Sequence, residues 1–293
     1  VASIGETLAE ARVALKRALT LDDREAGLEA HVLLGAALAR PRAYLLSHRE
    51  QPVEDIALDA FLTLLNRRLA GEPIAYVIGQ REFFGLPLHV TSDVLIPRPE
   101  TELLVELALA HIPSETASEV LDLGTGSGAV AIAIAQHRPR TRVTAVDQSV
   151  RALAVAEENA RQLGAANICF LHGDWFTPLP AGTRFDVIVG NPPYIAEDDS
   201  HLTAGDLRFE PRTALASGAD GLEAIRTIAS AAGRHLKRGG WLLLEHGFEQ
   251  GAACRNLLAD NGFSEISTAR DLAGRERVAI ARWNALAVSE NFT

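Results

Sequence analysis

The apolar positions of this chain follow one period up to about residue 70 and another from about residue 93. In the first stretch they recur at helical spacing: Leu8, Val13, Leu15 and Leu19, then Leu28, Val32, Leu33 and Ala36. Pro41 and Pro52 interrupt the run where new helices can start. Phe61, Leu62, Leu64, Leu65 and Leu69 complete a last helix, which Gly71 ends. Residues 72–92 change character. There Tyr76-Val77-Ile78 and Leu86-Pro87-Leu88-His89-Val90 read as two short strands around Phe83-Phe84-Gly85, a β-hairpin linker. Strands and helices then alternate, with strands near 118–123, 142–147, 167–172, 185–190 and 240–246, and a final pair over 263–269 and 277–283. The pattern predicts a doubly wound α/β domain over 93–284. A small helical domain over 1–71 and the linker over 72–92 precede it, and 285–293 reads as a frayed tail.

The candidate chemistry lies at strand ends. Phe185 to Gly190 is an apolar run that enters Asn191-Pro192-Pro193-Tyr194. Two prolines have fixed φ and no N–H, so the turn is stiff and its carbonyls keep their direction. The Asn191 carboxamide oxygen and the Pro192 carbonyl form a preset pair of acceptors for the two hydrogens of a planar NH2 group. Tyr194 offers the same flat group a ring face. Asn191, Pro192 and Tyr194 are therefore the candidate catalytic residues, and Pro193 joins them in binding the acceptor.

Upstream, Val120-Leu121-Asp122-Leu123 runs into Gly124-Thr125-Gly126-Ser127-Gly128, and the apolar stretch Ala129 to Gln136 reads as a helix. Glycines let a ligand approach the backbone. A second strand, Arg142 to Val146, ends in Asp147, an acidic residue placed to bind two ribose hydroxyls. The alternative for Asp147 is a helix cap, but Ser149 can serve there and release it. Spacing alone also fits a dinucleotide. Charge separates the two ligands: Asp122 stands at the mouth of the turn, and no Lys or Arg lies between Val120 and Gln136. A ligand with a sulfonium and an ammonium suits such a site better than a pyrophosphate, which favours S-adenosylmethionine over NAD.

Net charge narrows the partners. Lys plus Arg number 28 against 38 Asp plus Glu, a formal charge of −10, and no basic run is visible. A grip on duplex phosphates would need a basic face. No apolar stretch approaches a membrane span and no signal-peptide pattern opens the chain. Cys169 and Cys254 both fall in apolar segments and read as buried free thiols, in keeping with a cytoplasmic location. His172, His201 and His246 are scattered without metal-ligand spacing. Methionine is absent, and the proposed chemistry does not need it.

The glycine turn, Asp147, Asp174-Trp175-Phe176 and Asn191-Pro192-Pro193-Tyr194 together resemble a class I S-adenosylmethionine-dependent methyltransferase. Further segments resemble the PrmC/HemK family of bacterial release factor glutamine methyltransferases: Gly71 to Tyr76, Arg81-Glu82-Phe83-Phe84, Leu95 to Glu102, Arg208-Phe209-Glu210-Pro211 and Leu243 to Gly247. The likeness runs from about Glu6 to about Arg282. It implies methyl transfer from S-adenosylmethionine, leaving S-adenosylhomocysteine, to the glutamine amide nitrogen (N5) in the Gly-Gly-Gln motif of class I peptide chain release factors. It implies that Gly124, Thr125, Gly126, Ser127, Gly128, Asp147, Trp175 and Asn191 bind the cofactor, with Trp175 against the adenine and Asp174 near its amino group. It also implies that the Pro97–Thr101 loop closes over the site, although Arg98 alone reads equally as a solvated residue. Glu100 reads as a helix N-terminal charge and Glu245, at a strand end, stays ambiguous. The helical domain is the candidate for partner recognition. Two rivals remain: a DNA adenine N6-methyltransferase with the same Asn-Pro-Pro-Tyr chemistry, and a cofactor-binding scaffold without catalysis.

Overall fold

The computed structural model of the protein describes residues 2–284; the expected tail over 285–293 lies outside them. The chain divides into two compact units. The first runs to Gln80 and takes in Ala204–Phe209, and the second holds the rest.

In the first unit, α1 (Ile4–Leu19), α2 (Asp23–Leu38), α3 (Arg42–Ser47), α4 (Asp55–Leu69) and α5 (Ile74–Ile78) surround one core. Ser3 with Glu6 and Asp22 with Glu25 form reciprocal capping boxes that start α1 and α2. Pro41 is the N-cap of α3, as its place in the sequence predicts. Pro52 lies just ahead of α4, whose N-cap is Glu54. Ile4, Leu8, Ala11 and Leu15 fix the buried stripe of α1. Val13 is offset from that stripe by about half a turn of helix and is 63% exposed. Leu28, between the buried Ala26 and Ala30, is 48% exposed for the same reason, so neither joins the core face the spacing assigned it. Arg68 is buried beside Glu29, its guanidinium donating at 2.8 and 3.1 Å, and it also reaches Asp206 at 3.2 Å. Asp206 is thereby tied into this unit although it lies far along the chain.

Tyr76-Val77-Ile78 is the one predicted strand that forms a helix instead. Pro73 is the N-cap of α5 and Gly79, at φ +71°, ends it. A three-residue apolar run has no period of its own, so its flanking residues decided its conformation. The hairpin begins four residues later, as β1 (Gln80–Phe83) and β2 (Leu86–His89). Phe84 takes a left-handed conformation at its tip, where its N–H is held by the Glu102 carboxylate at 2.9 Å.

The second unit is built on a seven-stranded sheet. After α6 (Glu102–His111) come β3 (Glu119–Leu123), α7 (Ala129–His137), β4 (Arg142–Asp147), α8 (Val150–Leu163), β5 (Ile168–His172) and β6 (Phe185–Gly190). They are followed by α9 (Glu223–His235), β7 (Leu236–Glu245), α10 (Gly251–Asp260), β8 (Ser264–Arg270) and β9 (Glu276–Arg282). The strand order is β5-β4-β3-β6-β7-β9-β8, parallel except for β9, which is antiparallel to both neighbours. Side chains alternate cleanly between two cores. Val120, Val143, Val187, Val189 and Leu243 face one side, and Leu121, Val146, Ile188, Leu242 and Leu244 the other. Cys254 is buried as expected, but Cys169 is exposed, because β5 is the sheet edge and has no neighbour on its outer side. No helix of the described residues is long and apolar enough to cross a membrane.

Candidate active site

Strand order reverses between β3 and β6, and such a switch point leaves a crevice beyond the strands' carboxyl ends. A cavity of about 290 Å³ lies there, with Gly124, Gly126, Asp147, Trp175, Asn191 and Pro193 in its wall. Residues separated by up to 69 positions in sequence are brought together because β3, β4 and β6 pair in parallel and their ends align.

The glycine turn is held from both sides. Asp147 ends β4, and its carboxylate accepts the N–H of Gly126 at 2.9 Å and that of Ser149 at 2.9 Å. Burial raises its pKa, while the N–H groups of Ser149 and Gly126 pull it down. Ser149 is the N-cap of α8, accepting from Ala152, so Asp147 is not needed as the helix cap. Asp122 is 2% exposed and lies under the turn rather than at its mouth. It accepts the Thr125 hydroxyl at 2.7 Å, and burial pushes its carboxyl up to about 7. Its charge thus serves the turn's architecture more directly than the ligand's.

Several residues expected to bind the cofactor stand outside the cavity wall. Thr125 and Ser127 are buried, the first bonded to Asp122 and the second giving its carbonyl to Asn159. Gly128 is the N-cap of α7 at φ +82°. A Cβ there would lie 2.9 Å from Ile132 and 3.1 Å from Ala156, so the glycine serves helix packing. Trp175 does line the cavity, and its backbone sits at φ +44°. A tryptophan in the left-handed region is strained, and such strain concentrates at ligand sites. Asp174 is exposed and also lines the cavity.

On the other wall, Asn191 directly follows β6. Its amide nitrogen donates to the Thr101 hydroxyl at 3.1 Å, which turns the amide oxygen the other way. Pro192 is buried and, like Tyr194, lies outside the cavity wall. The Tyr194 hydroxyl donates to Glu245 at 3.3 Å, and burial beside that carboxylate raises the phenol well above its usual pKa. The Tyr194 carbonyl accepts from Gln250 at 3.0 Å. Gly221 packs against it so closely that a Cβ would meet that carbonyl oxygen at 2.3 Å. Beyond the motif, Ile195 exchanges backbone hydrogen bonds with Leu215 and Ser217 at 2.9 Å. Arg98 is not a solvated loop residue: it is paired with the buried Glu210, which also accepts the Ile96 N–H at 3.0 Å.

Sequence reasoning had no role for Asp93 or Arg151, which pair at 3.4 Å at the cavity, and it marked Thr101 only as the end of the Pro97–Thr101 loop, with no role for its hydroxyl. Glu245 did carry a signal: a charged residue closing the apolar strand Trp241–Leu244 at the end of the sheet where ligands bind. No cluster of metal-ligating side chains occurs among the described residues.

Residues 6–79 match the PrmC N-terminal domain model, and residues 100–220 the methyltransferase small domain model. The chain is 49% identical over 269 residues to the release factor glutamine methyltransferase of Pseudomonas aeruginosa, covering 92% of this chain and 97% of that protein. It is 51% identical over 252 residues to that of Bordetella pertussis, covering 86% and 93%. The chain belongs to the release factor glutamine methyltransferases. A methyltransferase from Pyrococcus furiosus shares the fold at a TM-score of 0.52 and 19% identity, covering 75% of this chain and 97% of that one. In this chain, the two matched models divide near the sequence boundary between the compact units.

Proposed function

We propose that this chain transfers a methyl group from S-adenosylmethionine to the side-chain amide nitrogen (N5) of the glutamine in the Gly-Gly-Gln motif of bacterial class I release factors, in the cytoplasm. The observation that carries the reading is the Asn191 amide. Its nitrogen is committed to Thr101, so its oxygen is presented as an acceptor in the same cavity that Asp147 and Trp175 line from the opposite wall. The residues present fit the cofactor. Asp147 offers a carboxylate for ribose hydroxyls, Trp175 an aromatic face for adenine, and the glycine turn its bare backbone. The volume is near the lower end of small-molecule pockets, roughly 300–1,000 Å³.

Bound S-adenosylmethionine supplies an electrophilic methyl carbon on a sulfonium. The task left to the protein is the acceptor, an amide nitrogen whose lone pair is delocalised into its carbonyl. Asn191 and the Pro192 carbonyl accept its two hydrogens, favour the polarised form and aim the nitrogen along the line of displacement. Positioning and fixed dipoles supply the main catalytic contribution. The methylated amide is strongly acidic while charged, and its proton passes to water. We assign the helical unit the recognition of the release factor.

Methyl transfer from labelled cofactor tests the reading, with release factor in one reaction and duplex DNA in another. Label in the release factor, lost when its Gly-Gly-Gln glutamine is replaced, is the expected result. Label in DNA alone would return the adenine methyltransferase reading.

A further inference from the structure

Glu245 is a buried carboxylate that the mechanism above does not use. It closes β7, whose Leu244 is in register with Gly190 of β6, so Glu245 and Asn191 emerge side by side from neighbouring parallel strands. It is 1% exposed. One oxygen takes the Tyr194 hydroxyl at 3.3 Å, and the other, Oε2, has no partner in hydrogen-bonding geometry. The charged groups that face it are Arg277 from β9 and Glu100 from the turn before α6. Arg277 is occupied by Asp271 at 3.0 Å, so Glu245 lacks an ion pair of its own. A buried carboxylate held this loosely is costly to keep.

The neighbouring hydroxyl gives it a purpose. Thr101 is 4% exposed, and its hydroxyl lies close enough to the Glu245 carboxylate to favour the charged form, short of hydrogen-bonding geometry with Oε2. The same oxygen accepts the Asn191 amide at 3.1 Å. A hydroxyl that gives its hydrogen to a carboxylate has only lone pairs left for a second neighbour. It therefore takes the NH2 end of Asn191 and turns the C=O end toward the substrate. We propose that Glu245 is a positioning residue for methyl transfer: through Thr101 it sets the polarity of the Asn191 amide, and through Tyr194 it holds the ring beside it. The chain of donors runs from Asn191 to Thr101 to Glu245. Were Glu245 neutral, its own proton could donate to Thr101, and the amide would lose its preference for presenting an acceptor. Burial lifts the Glu245 carboxyl to about 7, so this polarity is set by a group that titrates near neutrality.

The proposal rests on Asn191 as the acceptor clamp, so Asn191→Ala is measured beside it. At saturating cofactor and release factor, Glu245→Gln is expected to lower kcat by on the order of 10²-fold, as misplacement from outside the reacting groups does. KM for both substrates should change little. The parent's kcat should rise with pH through about 7, and this limb should disappear in Glu245→Gln. Thr101→Val should give a similar loss, Thr101→Ser should restore most of it, and the Thr101→Val/Glu245→Gln double variant should be no worse than either single one, because coupled residues are not additive. Cofactor-induced thermal stabilisation reports that each variant is folded; if Glu245→Gln is not, the Thr101 pair decides alone. Full kcat in Glu245→Gln, an unchanged pH limb, additive losses, equal kcat in Thr101→Val and Thr101→Ser, or a loss confined to KM would each overturn the proposal. Those results with an inactive Asn191→Ala would remove Glu245's role only. An active Asn191→Ala would remove the clamp itself.

Discussion

The two walls of the cavity are built by opposite means. The wall after β3 and β4 is made largely of backbone: glycine N–H groups and turns, fixed by Asp147 on Gly126 and Asp122 on Thr125. The wall after β6 is made of side chains. Asn191 and Tyr194 are held by Thr101, Glu245 and Gln250, which come from three other segments. Backbone suits a ligand that is the same in every turnover, because close approach needs no particular side chain. Side chains suit an acceptor whose nitrogen must be chosen and turned. The difference predicts that damage to the first wall will appear as lost cofactor affinity, and damage to the second as lost rate.

The largest test of that division is Asn191→Ala. It should lower turnover by roughly 10²–10³-fold, the usual effect of removing one preorganised polar group at a reacting centre, while the thermal transition stays near that of the parent. Steady-state methylation of release factor and a melting curve measure both. Asp147→Ala strikes the opposite wall. It should weaken S-adenosylhomocysteine binding by about 1.5–3 kcal/mol, the contribution of hydrogen bonds to a charged group, as read by calorimetry. An unchanged affinity would leave Asp147 with the turn and not the ligand. Gly221→Ala tests the second wall from behind. The new Cβ would meet the Tyr194 carbonyl oxygen at φ +74°. It should cost about 1–3 kcal/mol of stability and reduce kcat with little effect on cofactor affinity, which comparison of melting, calorimetry and turnover would show.

The smallest expected effect lies under the glycine turn. Burial raises the Asp122 carboxyl from 3.8 to about 7. Between those values the native state keeps a proton that the unfolded chain releases, so this group's contribution to stability falls as pH rises through the window. The cost is complete above about 7. Asp122→Asn keeps an acceptor for Thr125 without the charge. It should raise Tm at pH 8 by about 2–4 °C, on the order of 1 kcal/mol, with the gain fading as pH falls toward 4. A Tm difference that does not change with pH would show that Asp122 is not titrating in this range.

Much of this molecule was determined by local sequence. The five parallel strands, the closing pair and the helix after the glycine turn follow from apolar period, because each strand alternates between two cores. The wall after β3 and β4 was legible because Gly124, Gly126 and Asp147 sit at fixed short spacings. Tyr76-Val77-Ile78 failed because three apolar residues have no period, and Pro73 and Gly79 decided the outcome. Val13 and Leu28 failed because spacing was counted without angle. Cys169 failed because only the strand order reveals an edge. Tertiary structure alone placed Thr101 on Asn191, Glu245 behind Tyr194, Glu210 on Arg98 and Asp206 on Arg68, over separations of 90, 51, 112 and 138 residues. A hydrogen bond between distant segments leaves no periodic trace in the chain, since its geometry exists only after the sheet has brought the strand ends together.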